Sequence, residues 1–442
     1  MPEATYRFPK GFLWGSATSS HQVEGHQTNN NWCAWENEQG RIFNGQRAGA
    51  ACDWWNGRWK EDLSNAANNG QNSHRLSIEW SRIQPTPDHW DASAIDFYRE
   101  MLKGAHLLGL TPLVTLHHFT DPLWIYEAGG WEDDATIHYF AAFVRKAAAA
   151  FKDLTNLWIT INEPAVYAFS GYLEGSFPPG KSNLGAAYKV MRNLLRGHAA
   201  AYKIIHEIQE DANVGYAKNY RGFQPSRAWY PPDQWITNFS SKNFNGAFSN
   251  ALVDGKFKFG LQSETIPEAI GTQDFVGLNY YSTDKVRFKP FLAKDLFHKR
   301  YYEDGAQLSE TGYIANVPTG MFSALKWAHQ FDLPIYVTEN GVEDSMDSMR
   351  PAYLVEHLHQ VWRAANFNWR LKGYFHWSQV DNFEWERGWS QRFGLWRLER
   401  ETQERTRRKS VDLYAAICEE NGISSETVLT FTPEIFDKLF PG

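Results

Sequence analysis

The chain has 442 residues, 43% of them hydrophobic, and a net charge of −7 made of interspersed charges of both signs. That length buries a large core, either in several domains or in one α/β barrel with long loops; no linker, repeat or low-complexity tract divides it, so 1–442 reads as a single domain. The charge balance excludes a nucleic-acid footprint, and no apolar run reaches the ~18 residues that span a membrane.

Cys33, Cys52 and Cys418 are too few and too scattered for a disulfide framework or a zinc site. They fit a reducing compartment. The segment Met1-Pro2-Glu3-Ala4-Thr5-Tyr6 lacks the basic and apolar regions of a signal peptide, so a cytoplasmic protein is expected. The 20 tryptophans point toward sugar, whose C–H faces stack on flat rings, although most tryptophans in any large protein pack its core.

In chain order, the first apolar strand is expected at 12–18, running into the polar segment that holds Gln22, which is either a loop amide or a hydrogen-bonding group for a ligand. A helix over 59–69 precedes strand two, 74–80, where Arg75 is a charge inside an apolar strand and must be paired. Its partner is a structural counter-ion or a carboxylate kept ionised for chemistry. A helix over 94–108 leads to strand three, 111–116, which ends in His117 and His118. Neighbouring strand residues face opposite ways, so the two histidines do not readily share a metal; hydrogen bonding to a polar substrate or a structural role remains for them. After the helix at 135–151, strand four (156–162) stops at Asn162-Glu163-Pro164, because proline cannot continue the ladder.

A helix over 184–210, strand five at 214–219 and a long Trp- and Asn-rich connection lead to strand six, 274–281, which carries Asn279 and Tyr281. A helix over 321–331 precedes strand seven, 334–339, which repeats the pattern of strand four: an apolar run ending in Glu339-Asn340-Gly341. A helix over 350–366 and strand eight, 371–378, complete the series; Trp377, Glu384 and Trp385 lie at or after its end. The run Arg405-Thr406-Arg407-Arg408-Lys409 reads as a solvated loop.

Eight short apolar strands alternating with helices make a (β/α)8 barrel with elaborated βα loops. In that fold the C-terminal strand tips form the active site. Here they supply two carboxylates, neutral hydrogen-bonding groups and aromatic surface, with no metal cage or cofactor motif. A pair of strand-end glutamates suggests glycoside hydrolysis.

On these motifs the chain resembles glycoside hydrolase family 1, the β-glucosidases and β-galactosidases, from Phe12-Leu13-Trp14-Gly15 to the last helix. The resemblance implies Glu163 as acid/base and Glu339 as nucleophile. It implies Gln22, His118, Asn162 and Glu384 as sugar-binding residues, with Trp377 and Trp385 alongside, and Arg75 and Tyr281 as contacts of the nucleophile. The charge of Glu339 is expected to hold Glu163 protonated. Ala165 stands where many relatives carry Trp, which implies a more open aglycone side; Glu384 implies a non-phosphorylated sugar. The expected partner is a small-molecule β-glycoside or oligosaccharide. A transglycosidase, a silent sugar-binding barrel and a phosphate-binding barrel enzyme are the alternatives, the last lacking a glycine-rich loop after strand seven or eight.

Overall fold

The computed structural model describes residues 4–292 and 296–441. Eight parallel strands close into a barrel: β1 (Leu13–Ala17), β2 (Ser73–Ser77), β3 (Thr111–His117), β4 (Leu157–Asn162), β5 (Asn213–Asn219), β6 (Val276–Asn279), β7 (Ile335–Asn340) and β8 (Leu371–Trp377). Each pairs with its neighbour in sequence, and β8 returns to β1 with Gly373 opposite Leu13 and Trp377 opposite Ala17. The expected strands are all present. Strand six is the one most shortened, because Asp274 turns aside to accept from the backbone N–H of Val214 at 2.8 Å and from Tyr202 and His206.

Helices Trp59–Asn68, Ala92–Leu107, Ala135–Phe151, Leu184–Ile208, Pro318–His329, Arg350–Asn366 and Lys409–Glu420 surround the barrel. The long connection after β5 contains helix Pro231–Ser241, a π-helical turn at Lys242–Gly246 and helix Ala247–Asp254. A three-stranded sheet of Gly222–Pro225, Thr283–Phe288 and His298–Tyr301 projects beyond the strand ends.

Strand alternation sorts side chains between an interior core (Leu157, Ile159, Phe375) and an outer layer against the helices (Trp158, Val337, Leu278). At the ends of β4 and β7 the alternation breaks. Register shifts fall between Ile159 and Asn162, between Leu278 and Asn279, and between Val337 and Asn340. On β4, Thr160 bonds His198 of the outer helix and Ile161 also joins the outer layer. Asn162 therefore turns inward, where strict alternation would place it outward with Trp158 and Thr160. On β7 the same device turns Glu339 inward, although two-residue periodicity would align it with Val337.

The basic run is not a solvated loop. Arg405–Arg407 is a strand paired with Trp396–Leu398, and Lys409 begins a helix. Arg405 bonds Asp62 at 3.0 Å, and Arg408 grips Asp381 with both guanidinium nitrogens at 2.9 and 3.0 Å; all four residues are buried. Buried charges persist only when paired and hydrogen-bonded, and the aspartates that satisfy these arginines come from distant segments.

Candidate active site

The site assembles at the C-terminal strand ends around a cavity of about 410 Å³. Glu163, directly after β4, has φ 46° and ψ 58° and initiates helix Pro164–Phe169, with proline at its first position. Left-handed backbone in a non-glycine residue costs roughly 1–3 kcal/mol and survives only where the surroundings enforce it. Phe119 (φ 68°) and Trp385 (φ 52°), which line the same cavity, share this conformation.

The two glutamates occupy different electrostatic settings. Arg75, fully buried on β2, donates from Nη1 to Glu339 Oε1 at 2.6 Å and to the carbonyl of Thr338 at 3.0 Å. The hydroxyl of Tyr281 donates to Glu339 Oε2 at 2.7 Å. Burial, and then the charge of Glu339, push the Tyr281 phenol well above its ordinary range, so it stays a donor. Both oxygens of Glu339 thus accept, one from a cation. Arg75 is thus paired with the strand-seven carboxylate.

Glu163 meets neutral donors instead. Asn279 and Asn219 donate to its Oε1 at 2.7 and 2.9 Å. Its carboxyl is pushed from an ordinary 4.5 to about 7, by burial above all and secondly by the charge of Glu339. The expected cause is therefore real but subordinate to desolvation. The two amides and the ammonium of Lys218 oppose the rise.

Asn162 connects the two sides. Its Oδ1 accepts from Arg75 Nη2 at 2.7 Å and from Asn279 at 3.2 Å. Its Nδ2 faces His118 Nε2 at 3.1 Å. Burial holds His118 neutral, far below its ordinary range, so the ring proton belongs on Nδ1, which has no protein partner. The neutral ring borders the cavity, flanked by the rings of Trp377 and Trp385 at centroid distances of 5.9 and 6.0 Å. His117 diverges, as strand geometry requires: it is buried against Asp121 at 3.0 Å and Trp131. Among the described residues, no cluster of three His, Cys, Asp or Glu side chains could hold a metal ion.

Glu384 lines the cavity beside Trp377, whose Nε1 donates to it at 3.2 Å. Burial raises its carboxyl well above the ordinary range. Gln22 and Asn279 are brought to the cluster but not to the cavity wall. The Gln22 amide donates to Asn382 at 3.0 Å, to the carbonyl of Phe383 at 2.8 Å and to Glu384 at 3.3 Å, while its oxygen accepts from Ser19. Ala165 packs in the outer core, and Val166 lines the cavity.

Two residues of β5 belong to the site and escaped the sequence. Asn219 is a polar strand tip, a signal that the strand-end rule contains. Lys218, one position earlier, is buried with its ammonium 4.5 Å from the ring centre of Phe244, and burial lowers it from 10.5 to about 7. A lysine near a strand end carries no sequence signal of burial.

The family model for glycosyl hydrolase family 1 matches residues 4–423. The chain is 34% identical to β-glucosidase A of Thermotoga maritima over 94% of its own length and 99% of the relative's. It is 29% identical to a β-galactosidase of Pyrococcus woesei, covering 95% of this chain and 98% of that one. Among solved structures, a β-glucosidase from Thermotoga maritima in complex with glucoimidazole superposes with a TM-score of 0.88 at 33% identity, covering 95% of this chain and all of that one.

Proposed function

The chain belongs to glycosyl hydrolase family 1 and is a glycoside hydrolase, and we propose that it releases terminal non-reducing β-D-glucosyl residues, and β-galactosyl or β-fucosyl ones, from oligosaccharides or aryl and alkyl glycosides. The mechanism proposed is double displacement, with the whole chain acting as one catalytic domain. The observation that carries it is the contrast between the glutamates: Glu339 accepts from Arg75 and Tyr281, whereas Glu163 sits among neutral amides at about 7. One is set up to attack, the other to deliver a proton at neutral pH.

In the first half-reaction Glu339 attacks the anomeric carbon while Glu163 protonates the departing oxygen. Esterification removes the charge of Glu339, and with it the second-largest influence raising Glu163. The acid then ionises more readily and takes a proton from the incoming water. Asn162 and His118 serve sugar hydroxyls, and Glu384, backed by Gln22, serves those on the far side of the ring. Sugar faces rest on Trp377 and Trp385. Relatives named β-glucosidase and β-galactosidase support acceptance of either configuration. Three free cysteines, all buried, support a cytoplasmic site of action.

The test is Glu339→Gly with added azide. Turnover should fall by several orders of magnitude and recover in part with azide, yielding an α-glycosyl azide. A β-azide, or undiminished activity without azide, would remove Glu339 from the role of nucleophile.

A further inference from the structure

Lys218 stands one residue before Asn219, whose side-chain amide donates to Glu163 Oε1 at 2.9 Å. Strand alternation sends the lysine outward: Ala217 packs in the barrel interior, whereas Lys218 lies opposite Leu278 of β6, a residue of the outer layer. The side chain then turns toward the strand end. Its ammonium donates to the carbonyl of Asn219 and lies 4.5 Å from the ring centre of Phe244, a residue of the cavity wall.

This ammonium is 1% exposed. The other buried cations, Arg75, Arg350, Arg405 and Arg408, each form a direct ion pair with a carboxylate. Among the described residues Lys218 is the buried cation that forms none. A buried charge without a counter-ion is costly. The charged group that acts on it is Glu163, and among the leading influences on Glu163 the lysine is the only cation.

The two half-reactions make opposite demands on Glu163. As acid it must hold a proton, and burial and the charge of Glu339 both hold it there. As base it must be ionised, but esterification of Glu339 removes only the smaller of those two influences. Burial persists in the glycosyl-enzyme and favours a protonated Glu163, which cannot take a proton from water. The field of a fixed cation survives esterification and opposes it.

We propose that Lys218 is a positioning residue of the second half-reaction, its ammonium holding Glu163 as the carboxylate once Glu339 is esterified. This rests on the double-displacement reading. The water oxygen bonds to the anomeric carbon as the ester oxygen of Glu339 leaves, and the water proton passes to Glu163. Lys218 keeps its own proton throughout.

The first experiment uses the unaltered enzyme, labelled with 13C-lysine and trapped as the glycosyl-enzyme by dinitrophenyl 2-deoxy-2-fluoro-β-D-glucoside. The lysine resonance that titrates near 7 in the free enzyme should move to higher pH on trapping, because an ionised Glu163 then holds the ammonium. A resonance that stays in place or moves down would overturn the proposal. The second experiment compares Lys218→Met and Lys218→Arg on dinitrophenyl β-D-glucoside, whose phenolate departs without acid, so that breakdown of the glycosyl-enzyme limits kcat. In Lys218→Met the acidic limb of kcat should move upward, with kcat on that limb lower by roughly three- to tenfold. KM should fall with it as the intermediate accumulates. Lys218→Arg keeps the charge and should keep the limb where it is. A limb unmoved in Lys218→Met, or moved equally in both variants, would overturn the proposal, as would a loss of kcat at constant KM. If no glycosyl-enzyme can be trapped, the double-displacement reading fails instead.

Discussion

The raised carboxyl of Glu163 makes a prediction about stability as well as catalysis. An unfolded glutamate ionises near 4.5, but the folded one holds its proton to about 7. Between those values the folded state binds a proton that the unfolded state has released. Stability therefore falls as pH rises through that window and levels off above it. A displacement from 4.5 to about 7 corresponds to about 3 kcal/mol. Glu163→Gln removes the ionisation while keeping an oxygen to accept from Asn219 and Asn279. The variant should match the unaltered protein at pH 4.5 and exceed its stability by about 3 kcal/mol at pH 8.5. Equilibrium urea unfolding of both proteins at the two pH values measures this, because titrating groups not coupled to Glu163 cancel in the difference. The unaltered enzyme should also lose kcat/KM on poor leaving groups as pH rises through about 7, where the acid ionises. A stability difference independent of pH would refute the reasoning, since it would mean that Glu163 ionises in the folded state as it does in water.

Lys218→Met removes an ammonium that opposes the rise of Glu163, so the basic limb of the pH–rate profile should move upward; an unmoved limb would show that the lysine does not act on the acid. Arg75→Met leaves Glu339 buried without its cation and should lower stability by roughly 3–5 kcal/mol, with part of the loss recovered on melting the Arg75→Met/Glu339→Gln double variant. Arg408→Met removes both bonds of that guanidinium to buried Asp381 and leaves it Arg392 at 3.8 Å, and should cost roughly 1.5–3 kcal/mol in denaturant unfolding. Arg407→Met, which removes an exposed partner of Asp412, should cost at most about 1 kcal/mol by the same assay.

What the amino-acid order determined by itself was the local pattern: apolar runs of strand length, helices between them, and a carboxylate where each of two strands is cut short. These signals depend on residues a few positions apart, and so Glu163, Glu339 and the barrel were legible, as was the need of Arg75 for a partner. The tertiary structure decided what depends on residues far apart in the chain. Register shifts turn Asn162 and Glu339 into the barrel, and a shift exists only relative to a neighbouring strand. Arg405 and Arg408 look solvated until Asp62 and Asp381 arrive from other parts of the molecule. Burial, not the neighbouring charge, leads in raising Glu163, and Lys218 is buried beside it. Desolvation is set by every atom that excludes water from a group, and those atoms come together only when the barrel closes.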